Sequence, residues 1–157
     1  MHKKTTYTVD EALRKLEQYC IYQDRCHKEV ENKLDTMNMI PEAKEKIILH
    51  LLKHDFLNET RFAKSFARGK FRIKKWGKQR IVRELKYRGI TKYNINMALQ
   101  EINEADYLST FDELANNKFT SLKESNPLKK KKKLLDYLQY RGWETHLIFD
   151  KLNALFK

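Results

Sequence analysis

The sequence predicts an all-α protein built from three tandem three-helix repeats that form an elongated, curved array. Three observations predict this fold: helical spacing of apolar residues, a scarcity of residues that end helices, and an internal repeat. The 157 residues include only four Gly and two Pro, and no stretch alternates as a half-buried strand would. With 41% hydrophobic and 11% aromatic residues, the chain can bury a core.

Three helices are predicted in the first third of the chain. Asp10 is suited to cap the first helix. Its apolar face consists of Leu13, Leu16, Tyr19 and Cys20. In the second helix, Val30 and Leu34 lie four residues apart. Pro41 suits the first turn of the third helix, where its missing N–H would have no partner in any case. The apolar face of this helix consists of Ile47, Ile48, Leu51 and Leu52.

Residues 81–102 and 134–155 align without a gap and define the repeat. Both contain the triplet Tyr-Arg-Gly, at 87–89 and 140–142. Because Gly readily adopts the left-handed conformation that ends a helix, each copy is predicted to be a helix, a tight turn and a helix. The matched apolar pairs are Ile81 and Leu134, Leu85 and Leu138, Ile90 and Trp143, Ile95 and Ile148, Leu99 and Leu152, and Ile102 and Leu155. Trp143 is therefore expected in the core.

A degenerate first copy begins at Val30 and has Met37, Asn38 and Met39 in place of the Gly-bearing turn. Its matching apolar residues are Val30, Leu34, Ile40, Ile47 and Leu51. Each copy follows a further amphipathic helix, at residues 10–23, 59–73 and 105–120. Asn58 is suited to cap the second of these. The predicted repeats are residues 1–57, 58–104 and 105–157, and neighbouring repeats must stack to complete a core.

Positive charge is concentrated in residues 61–92, which we name the basic segment. It contains thirteen Lys and Arg and one acid, Glu84, so it accounts for the net charge of +12 and leaves the remainder neutral. Such a segment repels itself, which favours an anionic partner over a merely solvated face. The partner could be DNA, an acidic protein surface, or both. The candidate binding residues are Arg68, Lys70, Arg72, Lys74, Lys75, Trp76, Lys78, Arg80, Arg83 and Arg88.

Apolar residues lie between these charges, so part of the basic segment must be core. If Phe62, Phe66 and Ile73 face inward, the cations between them point outward. Trp76 is expected to be either a packing anchor or an exposed platform for stacking. A second cluster, Lys129–Lys133, opens the penultimate helix, and either a binding role or a solvated surface fits it equally well.

Motifs for catalysis, metals or cofactors are missing from the sequence. His50 and His54 share a helix face, but no third ligand has a supporting spacing. Four Gly residues, at 69, 77, 89 and 142, cannot build a phosphate-binding loop. Cys20 and Cys26 fit reduced, structural thiols. A non-enzymatic protein without metal or cofactor is therefore expected. It is expected in the cytoplasm, because no secretory signal or membrane span is evident.

Residues 57–90 resemble the central signature of the RecX family, which are bacterial regulators of the RecA recombinase. The residues that carry the resemblance are Arg61, Phe62, Ala63, Gly77, Ile81, Glu84, Leu85, Gly89 and Ile90. The resemblance implies a protein that binds RecA in the groove of its nucleoprotein filament and acts in DNA repair and the SOS response. It implies suppression of ATP hydrolysis, strand exchange and coprotease activity, although some family members stabilise or remodel filaments instead. A monomer is expected, with single- or double-stranded DNA as a further partner and no membrane.

Two other functions are compatible with the sequence. The pair of helices at 79–88 and 92–102 could form a DNA-binding helix-turn-helix that acts without RecA, although its second helix carries little basic charge. Alternatively, the chain could be an adaptor for an unrelated acidic protein.

Overall fold

The computed structural model describes residues 6–157, and this part of the chain contains α-helices and no β-strand. The helices are α1 (Val9–Tyr22), α2 (His27–Thr36), α3 (Pro41–Lys53), α4 (Glu59–Arg72), α5 (Lys78–Tyr87), α6 (Lys92–Leu99), α7 (Glu104–Ser121), α8 (Pro127–Tyr140) and α9 (Thr145–Leu155). The prediction of an all-α fold is confirmed. Between residues 6 and 157, no helix combines the length and the apolar character that crossing a membrane requires.

The helix starts follow local sequence, with one correction. Thr8, and not Asp10, caps α1: the Glu11 N–H donates to Thr8 Oγ1 at 3.1 Å, and the Glu11 carboxylate accepts from the Thr8 N–H at 3.4 Å. This reciprocal pair is a capping box, which needs Glu three residues after the cap, and Asp10 lies inside the first turn. Pro41 opens α3 and Asn58 caps α4, as predicted.

The turns between the paired helices all contain one left-handed residue. Gly89 and Gly142 have φ of 74° and 87°, which confirms the predicted role of the repeated Gly. In the first repeat Asn38, with φ of 57°, occupies this position. The next residue, Met39, donates to the Leu34 carbonyl at 3.3 Å, as Ile90 does to Leu85 at 3.1 Å.

The prediction that Ile40 matches Ile90 is therefore wrong. Met39 takes the place that follows the left-handed residue, because the turn is closed by the same hydrogen bond in both repeats. Ile40 lies one residue further along, caps α3 and is 63% exposed. Ile90, by contrast, is buried.

Buried apolar side chains form two clusters. The helices α1–α3, which we call the first repeat, enclose their own core around Leu16, Leu34 and Ile47. The second repeat (α4–α6) and the third repeat (α7–α9) share one continuous core. Stacking thus completes the core of the second and third repeats, whereas the first repeat packs mainly on itself.

A polar junction joins the first repeat to the second. Arg61 Nε donates to Asp24 Oδ1 at 2.7 Å, and Ser65 Oγ donates to the other oxygen of the same carboxylate at 3.0 Å. Cys26 supplies an apolar contact, since it is fully buried in the core of the second and third repeats. Cys20 belongs instead to the core of the first repeat. Both thiols are free, and burial raises the pKa of each to about 11.

Candidate functional site

The basic segment covers α4, the turn that follows it, α5 and the first residue of α6. At the end of α4 the Trp76 N–H donates to the Lys70 carbonyl at 3.2 Å, which closes the turn. Lys75 is the left-handed residue of this turn, with φ of 58°, although residues other than Gly adopt this backbone conformation uncommonly. We call residues 72–75 the tip of the basic segment.

The tip is fixed by hydrogen bonds from the third repeat. The indole Nε1 of Trp143 donates to the Lys75 carbonyl at 3.1 Å. The Gly77 N–H donates to the Arg141 carbonyl at 2.8 Å, and the Gln79 N–H donates to the Gly142 carbonyl at 3.0 Å. These three bonds join the α4–α5 turn to the α8–α9 turn, so the third repeat determines where the tip lies.

Two glycines make this close approach possible. A Cβ on Gly77 would lie 2.4 Å from the Gly142 carbonyl oxygen, and a Cβ on Gly142 would lie 2.3 Å from the backbone nitrogen of Arg80. Both distances are shorter than any ordinary contact, so a side chain at either position would force the turns apart. Gly142 thus both ends a helix and lies against the second repeat.

Tyr107, in α7, forms a fourth connection between the third repeat and this turn. Its hydroxyl accepts from the Lys78 N–H at 2.8 Å and donates to the Glu144 carboxylate. Burial raises the pKa of the Tyr107 hydroxyl, and the hydrogen bond to Glu144 raises it further. The centres of the Tyr107 and Trp143 rings lie 4.6 Å apart, so both side chains pack against each other beneath the α4–α5 turn.

The tip exposes three cations that have no carboxylate partner within the described part of the chain. Arg72, Lys74 and Lys75 are all exposed and form no ion pair there. Ile73 lies among them and is 77% exposed. The prediction that Ile73 faces inward is wrong, because Phe71 occupies the last inward position of α4 and the left-handed Lys75 turns the chain away.

Two further cations lie on the outer face of α5. Arg83 and Lys86 are exposed, and neither forms an ion pair with another described residue. Lys86 was not among the residues that the sequence singled out. Its spacing of three residues from Arg83 on a helix could have indicated it, because residues three apart share a face.

Trp76 is half-buried and lies in a stack of cations and rings. The Arg80 guanidinium lies 4.1 Å from the centre of the Trp76 ring and 4.6 Å from that of Tyr140. Lys70 Nζ lies 5.1 Å from the Trp76 ring centre, and Phe66 contacts its edge. These contacts favour the packing interpretation of Trp76 over the stacking platform.

Tyr140 joins this stack although sequence reasoning did not select it. It is the Tyr of the second Tyr-Arg-Gly triplet, and its carbonyl accepts from Arg80 at 3.2 Å. The repeat predicted a turn at this position. It could not predict that the turn meets the second repeat, because that contact is tertiary.

Three of the ten predicted binding residues are paired with the protein's own carboxylates. Arg68 contacts Glu101 at 3.3 Å, Lys78 contacts Glu104 at 3.2 Å and Arg88 contacts Glu84 at 2.9 Å. The nine cations among these ten residues thus divide into exposed cations, cations stacked on rings, and neutralised cations. Within the basic segment, the exposed cations that form no ion pair with a described residue are Arg72, Lys74, Lys75, Arg83, Lys86 and Lys92.

The second cluster, Lys129–Lys133, is partly satisfied within the protein. Lys132 contacts Asp136 at 2.8 Å, Lys133 contacts Glu124 at 3.1 Å, and Lys130 lies 4.0 Å from the centre of the Phe119 ring. The hydrogen bond from Lys133 lowers the pKa of Glu124. These partners favour the interpretation of a solvated surface.

His50 and His54 lie side by side, with ring centres 4.5 Å apart. Among residues 6–157, no group of three or more His, Cys, Asp or Glu is arranged to hold a metal ion.

Two sequence models match the repeats that carry this geometry. The model described as "RecX, second three-helix domain" matches residues 58–99, and "RecX, third three-helix domain" matches residues 104–152. The chain belongs to the RecX family. It is 32% identical over 136 residues to "Regulatory protein RecX" of Clostridium acetobutylicum, covering 84% of this chain and 63% of that one. It is 36% identical over 105 residues to the protein of the same name from Yersinia pseudotuberculosis, covering 66% of this chain and 55% of that one.

This RecX-family chain therefore spans less than two thirds of the length of these curated relatives. Solved structures show the same fold. "Crystal structure of regulatory protein RecX" matches with a TM-score of 0.81 and 19% identity, over 93% of this chain and 73% of the other. The structure of RecX from Lactobacillus salivarius matches with a TM-score of 0.77 and 22% identity, over 94% and 96%.

Proposed function

We propose that this RecX-family protein regulates the RecA recombinase by binding the RecA–DNA filament and slowing its ATP hydrolysis and strand exchange. It would act in DNA repair and the SOS response, in the cytoplasm, as a monomer and without catalysis of its own. The observation that carries the proposal is the tip, where three exposed cations, Arg72, Lys74 and Lys75, have no partner among the described residues.

The proposal follows from the energy of like charges held close together. Neighbouring cations repel one another, and a partner that brings negative charge relieves this repulsion. The tip keeps its cations in place through backbone hydrogen bonds, such as that from Trp143 to Lys75. A partner would therefore immobilise side chains alone, which reduces the entropic cost of binding.

DNA in the filament is the anionic polymer that best suits the tip. Lys and Arg contact phosphates without reading sequence, so binding would be tolerant of sequence and sensitive to salt. Each phosphate contact on a single strand would add about −0.7 to the slope of log affinity against log salt. Ile73, exposed among the cations, offers an apolar contact to a base or to a RecA side chain.

The shared core of the second and third repeats supports the inhibitory part of the proposal. Because these repeats pack as one unit, they could bridge neighbouring RecA subunits as a stiff body. A body that contacts two subunits at once would oppose the motion that accompanies each cycle of ATP hydrolysis.

The test is the single-stranded-DNA-dependent ATPase of RecA, measured with and without the full chain. We expect ATP hydrolysis to slow at fewer molecules of this protein than of RecA, and the inhibition to weaken as salt rises. Unchanged ATP hydrolysis at equal concentrations, across the same salt range, would contradict the proposal. Binding to duplex DNA with sequence preference and without RecA would favour the helix-turn-helix alternative.

A further inference from the structure

A second basic surface lies in the first repeat, away from the basic segment. It is an open groove of about 770 Å³ between α1 and the end of α2. Among the described residues, its lining includes the cations Arg14, Lys15, Arg25 and Lys33 and no carboxylate side chain. We call it the α1–α2 groove.

The charge of this groove contrasts with that of the repeat around it. Residues 1–57 carry ten Lys and Arg and ten acids, so this third of the chain has no net charge. Four of these ten cations nevertheless line one groove that the acids of residues 6–57 avoid. Arg14, Lys15 and Lys33 are exposed and form no ion pair within residues 6–157, and Arg25 contacts Glu29 at 3.8 Å. Segregation of this kind creates a local positive potential suited to an anion.

Aromatic rings alternate with these cations. The Arg25 guanidinium lies 3.7 Å from the centre of the Tyr19 ring, and its Nε donates to the Tyr19 carbonyl at 2.9 Å. Lys33 Nζ lies 5.6 Å from the same ring centre, and Lys15 Nζ lies 5.4 Å from that of Tyr7. The rings therefore keep the cations along the walls of the groove.

Tyr22 is the ring best placed to receive a ligand. It is the last residue of α1, lines the groove and is 83% exposed, so the core does not account for it. A planar side chain among unpaired cations matches the pattern that binds single strands, in which bases stack on rings and phosphates contact Lys and Arg. An acidic peptide would use the cations but would leave the exposed ring without a role.

We propose that the α1–α2 groove binds single-stranded nucleic acid, with a base stacked on Tyr22 and phosphates held by Arg14, Lys15 and Lys33. This site is separate from the basic segment. The proposal does not require that the protein regulate RecA. The first repeat would bind a nucleic-acid strand independently of the basic segment.

The test is fluorescence anisotropy of the full chain with labelled oligo(dT) of about 20 nucleotides, long enough to span one binding module. We expect Tyr22→Ala to weaken binding roughly 5- to 100-fold, and Tyr22→Phe to restore most of it. Tyr93→Ala removes a ring that is also exposed, at 70%, but lies on α6 outside the groove, and it should leave affinity unchanged.

Changing Arg14, Lys15 and Lys33 together to Ala should make the slope of log affinity against log salt less negative by about 2, because each phosphate contact contributes about −0.7. The matched control changes Lys46, Lys53 and Lys123 to Ala, since these exposed lysines lie outside the groove. Circular dichroism verifies that each variant folds. Wild-type affinity in both the folded Tyr22→Ala and the triple variant would overturn the proposal.

Competitors identify the ligand. We expect unlabelled oligo(dT) to displace the probe far better than thymidine monophosphate, a duplex of the same length or polyglutamate. If any of these three competes as well as oligo(dT), and Tyr22→Ala weakens its affinity, the groove binds that ligand and the proposal is wrong. Failure of the RecA test leaves these outcomes unaffected, since the anisotropy measurement contains no RecA.

Discussion

The indole nitrogen of Trp143 in the third repeat donates to the carbonyl oxygen of Lys75 in the second repeat, at 3.1 Å. Trp143 is 1% exposed, and its ring packs against those of Tyr107 and Phe111. One side chain thus belongs to the core and also binds the backbone of Lys75, the last residue of the tip. Stability of the third repeat and the position of the exposed cations are therefore coupled.

Trp143→Phe should destabilise the protein by roughly 2–4 kcal/mol. The change removes the donor to the Lys75 carbonyl and leaves a void where the larger ring packed. Chemical denaturation followed by circular dichroism measures the loss. Trp76→Phe is the matched control, and because Trp76 is half-buried it should cost less than half as much. Equal losses for the two variants would show that Trp143 has no special structural role.

Three glycines should respond differently to Ala. Gly142→Ala should cost more than about 2 kcal/mol, because φ is 87° and the new Cβ would lie 2.3 Å from the backbone nitrogen of Arg80. Gly89→Ala should cost about 1–2 kcal/mol, since φ is 74° but no atom of the structurally described residues lies within 4 Å of the added Cβ. Gly69→Ala, inside α4 and in open space, should stabilise by about 0.5–1 kcal/mol. The ranking of the three unfolding free energies is the measurement. A loss at Gly142 no larger than at Gly89 would argue against the close contact of the two turns.

The sequence predicted the helices and their turns because these features are local. The Tyr-Arg-Gly triplet, Pro41 and Asn58 each act within one turn of backbone, and the structure confirms all three. Asp10 was the wrong cap because Thr8 forms a reciprocal pair with Glu11, a pattern that was present in the sequence but was not used.

The site was only partly predictable because charge neutralisation is tertiary. Residue counts identified the basic segment. They could not predict that Arg68 forms an ion pair with Glu101 and Lys78 with Glu104, because no local sequence pattern specifies these tertiary contacts. Ile73 was placed inside by helical periodicity, which ceases to apply where α4 ends at Arg72.

Alkaline pH should destabilise the protein through Tyr107. Burial and the hydrogen bond to Glu144 raise its folded pKa above the unfolded value of about 10. Above that pH the folded state holds a proton that the unfolded state has lost, so stability falls as pH rises. Unfolding free energies of the wild type and Tyr107→Phe, compared between about pH 8 and 11, isolate this effect.

Tyr107→Phe should be less stable than the wild type near neutral pH, by about 1–3 kcal/mol, since the Lys78 N–H loses its acceptor. The difference between the two proteins should shrink as the pH passes 10. A constant difference across the whole range would mean that Tyr107 does not titrate differently in the folded and unfolded states.

The two thiols should react slowly while the protein is folded. Burial raises the pKa of Cys20 and Cys26 to about 11, so little thiolate, the reactive form, exists at neutral pH. Labelling with a chromogenic disulfide reagent in increasing urea should follow unfolding monitored by circular dichroism. Labelling of both thiols in the native protein at the rate of an unfolded chain would contradict their burial.

The most direct test of the proposed function is inhibition of the RecA ATPase by a variant in which Arg72, Lys74 and Lys75 are changed to Glu. These exposed cations of the tip form no ion pair with any residue of 6–157, and none contributes a side chain to the core of that part of the chain. The matched control changes Lys46, Lys53 and Lys123 to Glu, which alters the net charge equally at exposed positions elsewhere. We expect the tip variant to inhibit at least about tenfold more weakly than the wild type and the control to remain within about twofold, as loss of several phosphate contacts requires. Inhibition by a folded tip variant at the wild-type concentration would contradict a role for these cations in binding the filament.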